Sequence, residues 1–322
     1  MLNELFEFCF DMTTLFNYLF ALVVFPGFLF TAAGGMIASF MDRKLSARFQ
    51  WRVGPPWFQP AADILKLLGK ETIVPAGASR AAFLLSPVFG FAAALVVALL
   101  TWKSILLPRA AMIGDLIVVI YFLAVPAIAV IVGGFASANP LSSLGASREM
   151  KLLLSYELPF LLAILVPVIK AGSIRMGEIV LSQGEHGVFL GSASGLIAFC
   201  VAVLCQQAKL TLTPFDLPDA ETEINAGAFM EYSGPGLALF RLTRMMLLFT
   251  MPVFLTALFW GGIETTALGI ILGMGKIAFI LFLAIVIKNT NPRVRIDQAM
   301  KFFWGPVTVV AAVAVVLALL GA

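Results

Sequence analysis

Charge is scarce in this sequence: Asp, Glu, Lys and Arg make up 12% of 322 residues, against the one-quarter usual in soluble domains. That shortage excludes an ordinary water-soluble globule. Histidine is scarcer still. His186 is the single one, which excludes a haem held between two histidines. The three cysteines, Cys9, Cys200 and Cys205, cannot supply the four thiolates of an iron–sulfur cluster, and Cys200 and Cys205 sit in an apolar run where thiols behave as small hydrophobes. No Gly-x-x-x-x-Gly-Lys phosphate loop is present, which argues against direct ATP hydrolysis. The net charge of +3 gives no basic surface for nucleic acid. Electrons, if this protein serves redox chemistry, travel on another chain.

What fills the sequence instead is hydrocarbon. Hydrophobic residues reach 61% and mean hydropathy is +1.02, in runs near the roughly 20 residues a helix needs to cross a bilayer. The runs are continuous and do not alternate as barrel strands do. The sequence therefore predicts an all-α polytopic membrane protein, a single membrane domain over 1–322. About eight transmembrane helices fall near 15–40, 81–102, 112–135, 149–170, 192–211, 236–260, 264–288 and 301–321. Glu4, Glu7 and Asp11 precede the first where a signal peptide carries a basic region, so it is read as a retained span.

Sixteen of the basic residues, from Arg43 to Lys301, fall in loops on one side, and Lys103, Arg109, Lys170 and Arg175 on the other. The positive-inside rule makes the first side cytoplasmic, in a cell membrane with both termini outside.

Against this background one stretch stands out. Between Lys209 and Arg241 lie Asp216, Asp219, Glu221, Glu223 and Glu231, five of the 18 acids, with no basic residue among them. Pro214 and Pro218 stiffen the run, and Asp216 is suited to cap a helix from Leu217. On such a helix Asp219 and Glu223 share a face and Glu221 points away. Neighbouring carboxylates repel and share protons, which suits ion handling. The alternative, a solvated loop, is disfavoured by the flanking prolines and the interleaved apolar residues.

Other charges fall inside spans. Glu157 lies about eight residues into the fourth, where an ionised group costs ~2.5–3.5 kcal/mol even on lenient scales. Pro159 and Pro167 break the backbone bonding nearby and make room for water. Glu157 is thus a candidate for an ion path, or a protonated acid bonded to a neighbouring helix. Glu149, at the predicted start of this span, either joins that path or complements the helix dipole. Lys276, midway along the seventh span, is expected to pair with a buried carboxylate or to link the acids to a neighbouring subunit. Asp115 reads as a helix-start residue before an outlet carboxylate.

The first cytoplasmic loop holds Arg43, Arg48 and Arg52, then Trp51, Trp57 and three prolines. In 61–71, Ala61, Ile64, Leu65 and Leu68 recur at helical spacing with Asp63, Lys66 and Lys70 on another face, predicting a short amphipathic helix at the interface. Tryptophans and prolines beside these charges suggest partner docking.

Several stretches together resemble a known family. They are Asp42-Arg43-Lys44 with Gln50-Trp51-Arg52-Val53-Gly54-Pro55; Gln59-Pro60-Ala61-Ala62-Asp63 with Lys66-Leu67 and Lys70-Glu71; Ser155-Tyr156-Glu157; and Pro214-Phe215-Asp216-Leu217-Pro218-Asp219-Ala220-Glu221 through Glu231-Tyr232-Ser233-Gly234. In order and over the whole chain, these resemble the H-type (heel) membrane subunit of respiratory complex I. They also resemble its counterparts in membrane-bound nickel–iron (NiFe) hydrogenases and related ferredoxin-oxidising ion pumps. The resemblance implies a membrane anchor with no redox centre, catalytic residue, cofactor or metal of its own. Iron–sulfur clusters and a NiFe site would belong to a small and a large soluble subunit on the cytoplasmic face, and antiporter-like subunits would lie beside it in the lipid. Glu157, Asp216, Asp219, Glu221 and Glu223 would begin the ion path, with Glu231 beside them. Arg43, Arg48, Arg52 and Asp63, with Lys66, would shape the docking face. Glu149 and Lys276 join the path on physical grounds alone.

Two departures separate the branches. The Gly-rich stretch that complex I subunits carry after Gly54-Pro55, part of their quinone chamber, shrinks here to Pro56-Trp57-Phe58, and Arg244 replaces a Glu. The runs Gly145-Ala146-Ser147-Arg148-Glu149, Asn289-Thr290-Asn291-Pro292-Arg293 and Arg295-Ile296-Asp297-Gln298 are similar to the hydrogenase side. The expected function is therefore the ion-path subunit of a ferredoxin-linked, hydrogenase-like complex. The alternatives are a quinone-site subunit of a complex I and a stand-alone proton-coupled transporter, the latter without a visible internal repeat.

Overall fold

In lipid each backbone N–H and C=O must find its partner within the chain, so long apolar runs have little choice but helix. A computed structural model describes residues 19–110, 114–264 and 266–321. Among them there is no strand. The helices are α1 (Phe28–Phe49), α2 (Gln59–Leu68), α3 (Arg80–Leu106), α4 (Asp115–Ala136), α5 (Pro140–Ala171), α6 (Met176–His186), α7 (Ala193–Lys209), α8 (Glu221–Ile224), α9 (Gly234–Phe259), α10 (Ala267–Thr290) and α11 (Ile296–Leu319). Cys9 and residues 15–18 of the first predicted span lie outside the described residues.

Among the described residues seven helices are long and apolar enough to cross a membrane, the first counted from Leu19 to Phe49. The shorter α7 rises about 26 Å over its 17 residues and makes an eighth apolar helix. The amphipathic α2 forms as expected, with Ile64 buried and Leu65 and Leu68 exposed. One boundary differs in a way that matters. Asn139 accepts a hydrogen bond from the Leu141 N–H, and Pro140 occupies the first turn, so α5 starts nine residues before its predicted beginning. Glu149 is therefore in the interior of the helix, not at its N-terminus, and has no helix dipole to complement.

At the centre stands α9, with 89% of its apolar window buried by the other helices. Its hydroxyls bond to carbonyls one turn back: Thr243 to Leu239, Thr250 to Met246 and Thr256 to Pro252. None of the α9 hydroxyls is thereby carried unpaired into the apolar interior. A second packing centre joins α5, α7 and α11, where Ala163, Ala202, Ala311 and Ala314 are buried with Tyr156, Phe160 and Phe303. Small residues let these backbones approach, as they do between helices in membranes.

The loop segments singled out by motif, 42–71, 210–233 and 289–295, gather at one end of the bundle. Gly145 of α5 decides how closely they gather. A Cβ there would stand 2.5 Å from the Ala228 nitrogen and 3.0 Å from the Pro218 carbonyl oxygen, both backbone atoms that cannot turn aside. Gly145→Ala is expected to cost roughly 1–3 kcal/mol by overpacking and to lower the melting temperature of the purified protein. An unchanged melting temperature would show that the loop does not rest on α5.

Candidate functional site

The acidic segment begins where α7 ends. Past Lys209 the chain turns under backbone bonds from Thr211 N–H to the Ala208 carbonyl and from Leu212 N–H to the Gln207 carbonyl. It then crosses the end of the bundle without forming the helix expected from Leu217. Its apolar residues hold it down. Phe215 and Leu217 are buried, and Phe215 packs against Phe303 with ring centres 4.8 Å apart. Asp216 consequently caps no helix, and Asp219 and Glu223 share none.

Each described acid meets its own partner instead. Asp216 accepts from the Arg293 guanidinium through Nε at 2.8 Å and through Nη2. Asp219 takes Arg244 Nη1 at 2.6 Å, while the same guanidinium donates to the Leu210 and Thr211 carbonyls. Glu223 pairs with Arg148 at 2.5 Å, and Glu231 accepts from the Asn139 amide at 2.6 Å. Glu221 opens α8, but its side chain lies outside the described residues. Three of the loop's acids are thus paired with arginines from α5, α9 and the segment before α11.

Inside this layer lies a second pair, with its lysine buried and its glutamate partly buried. Glu157 accepts from Lys209 Nζ at 2.9 Å. The Lys209 side chain is only 3% exposed, and its ammonium lies 5.0 Å from the Tyr156 ring centre and 4.7 Å from that of Phe160. A carboxylate and two aromatic faces together replace its hydration. Lys209 and Asp219 also line a cavity of about 280 Å³ with Glu149, Arg241 and Arg244. Glu149 is 2% exposed. Among the described residues neither its Oε2 nor Oδ1 of Asp219 has a hydrogen-bond partner. The remaining wall is mostly apolar, including Pro126, Val130, Phe229, Leu237 and Phe240, with Thr211 and Thr243. Tyr232, near this wall, stacks on Phe83 at 4.1 Å, shares a hydrogen bond with Ser86 and donates to the Phe83 carbonyl. Burial pushes its phenol up to about 12, so it remains a neutral donor.

The first loop forms a separate surface at the same end. Arg43 donates to Asp63 at 2.7 Å, Gln59 at 2.9 Å, and Lys288 grips Asp42. Arg43, Arg52 and Lys288 line an open concavity of about 610 Å³. Arg48 and Lys66 are exposed nearby in the chain, and Trp51 is 99% exposed.

Lys276 is not brought to these acids. Its ammonium donates to the Trp260 and Gly262 carbonyls, at 2.7 and 3.3 Å, just beyond the C-terminus of α9 at the opposite end of the bundle. A cation is favourable there because helix carbonyls point unsatisfied in that direction. Asp115 is likewise local: its Oδ1 accepts from the Leu116 and Met176 N–H groups. Reading along the chain missed Lys209, Arg148, Arg244 and Arg293 as site residues. Arg244 carried a usable signal, since it lies ten residues into α9 and a charge inside a span needs a partner.

A family model described as NADH dehydrogenase matches residues 20–319. The H-type subunit of NADH-quinone oxidoreductase from Anoxybacillus flavithermus is 37% identical over 279 residues, 82% of each chain. Its counterpart from Bacillus mycoides is 36% identical over the same coverage. Among solved structures, a chain of the membrane-bound sulfane sulfur reductase, an archaeal respiratory membrane complex, superposes with a TM-score of 0.81. It is 26% identical, and the match covers 94% of this chain and 99% of that one.

Two outcomes follow from the ion pairs. Lys209→Met leaves Glu157 without its cation, and restoring neutrality with Glu157→Gln should recover part of the loss. Thermal melting of the two single variants and the double variant should give a coupling of about 0.5–3 kcal/mol; additive losses would remove the pair from the site. For Asp63, burial raises the carboxyl, but hydrogen bonds from Arg43 and Gln59 outweigh it and hold it below the ordinary value. Its contribution is therefore present above that ordinary value and lost as pH falls through the lowered one. Hydrogen exchange across Gln59–Leu68 should remain slow down to about pH 4 and accelerate below it. Asp63→Asn should abolish that step.

Proposed function

The chain belongs to the NADH dehydrogenase family, whose relatives above are H-type subunits of an oxidoreductase, and on that premise we propose that it couples electron transfer in partner subunits to ion movement in the membrane. The charged end faces the cytoplasm, as its Lys and Arg require, and both termini lie outside. Small iron–sulfur and large catalytic subunits dock over the first loop, where Arg43, Arg48, Arg52, Asp63 and Lys66 surround exposed tryptophans. Antiporter-like subunits flank the bundle in the lipid. Metal centres and iron–sulfur clusters sit on those soluble partners.

The observation that carries this reading is the sequence of charges gathered around one cavity, with Glu149 and Lys209 buried among them. Asp219 and Arg244 stand toward the loop, Glu149 lines the wall, and Lys209 with Glu157 lies beyond. A change of charge or proton demand at a docked redox subunit perturbs the Asp216, Asp219 and Glu223 pairs first. Glu149 and the Lys209–Glu157 pair then redistribute a proton toward the neighbouring membrane subunits. Arg241 and Arg244 add positive charge to the cavity wall.

Within the family we place the chain on the ferredoxin-linked, hydrogenase-like branch. The three residues Pro56-Trp57-Phe58 are too few to build a chamber wall, and Arg244 supplies the counterion of Asp219 where complex I subunits carry an acid. The apolar wall of the 280 Å³ cavity is the specific feature favouring the second reading, a quinone site. Co-purification of a nickel-containing large subunit supports the first reading. Inhibition of the whole complex by quinone-site ligands supports the second.

The central test is Glu157→Gln in the assembled complex, reconstituted into vesicles. Electron transfer among the soluble subunits should persist while ion translocation disappears. Translocation at the wild-type rate would remove Glu157 from the path.

A further inference from the structure

The last span is not a uniform α-helix. Residues Phe303–Val307 of α11 form a π-helical turn, with α-helix before and after it. Pro306 within that turn has no N–H to donate to the Phe302 carbonyl, and its ring crowds that carbonyl. The Phe303 carbonyl accepts from the Thr308 N–H across this turn, and the Thr308 hydroxyl donates to the same oxygen at 2.6 Å.

The π turn also sets which residues face inward. Ala299, Phe303, Val307 and Ala311 are all buried and fall four residues apart. In an unbroken α-helix each such step overshoots a full turn by about 40°. Three steps would carry the stripe a third of the way round the helix. The wider turn absorbs that drift and keeps both halves of α11 on one face.

What the N-terminal half touches gives this geometry a function. Phe303 packs on Phe215 of the acidic loop at 4.8 Å and edge-on against Tyr156 at 6.4 Å. Phe302 stacks on Phe215 at 6.1 Å. Just upstream, Arg293 holds Asp216, and the Val294 N–H bonds to the Pro214 carbonyl. Tyr156 lies beneath the Lys209 ammonium and immediately precedes Glu157. The segment 293–303 therefore grips the acidic loop at three successive residues, Pro214, Phe215 and Asp216, and reaches the buried ion pair through one aromatic ring. The C-terminal half of α11 is anchored separately by Ala311, Ala314 and Ala318 in the α5–α7 packing.

We infer that the π turn at Phe303–Val307 is a positioning hinge that transmits displacement of the acidic loop to the Lys209–Glu157 pair. Closing the turn to α-helix by one residue rotates the N-terminal half by about 100° against the anchored half, which carries Phe303 off Tyr156. Short π segments inside helices recur at functional sites, and an element with two packings is what coupling between separate sites requires. Pro306 and Phe303 are the positioning residues. The inference rests on the ion-path reading above.

The test uses the whole reconstituted complex. Pro306→Ala, which restores the missing N–H and lets the turn close, should lower ions moved per electron by at least about five-fold, the lower range of allosteric coupling. Electron transfer in the soluble arm should continue. In a second arm, spin labels at Lys301→Cys and Val313→Cys, in a background with Cys9, Cys200 and Cys205 replaced by Ser, report the distance across the hinge. That distance should differ between the oxidised and reduced complex. It can be read with Pro306 intact, so it decides the matter whether or not the proline variant assembles. A distance independent of redox state, or wild-type translocation in Pro306→Ala, overturns the hinge. If that happens while Glu157→Gln still abolishes translocation, the ion path stands without the hinge. If Glu157→Gln pumps normally, the path and the hinge fall together.

Discussion

Everything at the charged end depends on pairing an acidic loop with guanidinium groups that are distant in sequence. Asp216, Asp219 and Glu223 are held by Arg293, Arg244 and Arg148. Each pair fastens the loop to a different part of the bundle. Such pairs add little net stability when desolvation is counted, and removing one partner costs far more than the pair contributes. Their value is in placement. They fix the loop over the cavity and leave Glu149, with one unpartnered oxygen, facing the space that Lys209 also lines.

That placement divides the molecule by task. One end carries exposed tryptophans, a basic concavity and the paired loop, all suited to a partner surface. The opposite end is closed by backbone capping. Lys276 holds the carbonyls beyond α9, and Gln183 donates to the Ala257 and Leu258 carbonyls. Between them α9 is immobilised by burial on all sides, whereas α11 is peripheral and broken by a π turn. Motion is easier to accommodate in α11, the element that touches both the loop and the buried pair.

Much of this was legible in the sequence, for identifiable reasons. Span existence followed from the requirement that backbone in lipid be hydrogen-bonded internally, and α2 from its helical spacing of apolar residues. Glu157 was legible because an acid inside a span is costly enough to need a purpose. The helix expected from Leu217 was not realised. Burial of Phe215 and Leu217 and the pull of arginines on Asp216 and Asp219 outweigh a local capping preference worth about 1 kcal/mol. Glu149 was misplaced at a helix start because the cap at Asn139 and Pro140 lies upstream of the apolar run.

The sequence by itself determined the class of molecule, the number of apolar helices, the family and the segments that matter, since these follow from composition and from residues contiguous in the chain. It also showed that five acids lie together without a local base. Only the tertiary structure decided what those acids do. Their counterions come from residues up to 77 positions away, and the pairing of Lys209 with Glu157 spans 52. Electrostatic interaction falls with distance through space and takes no account of separation along the chain. An isolated acidic run and an ion-paired, interlocked layer therefore look the same until the helices are packed.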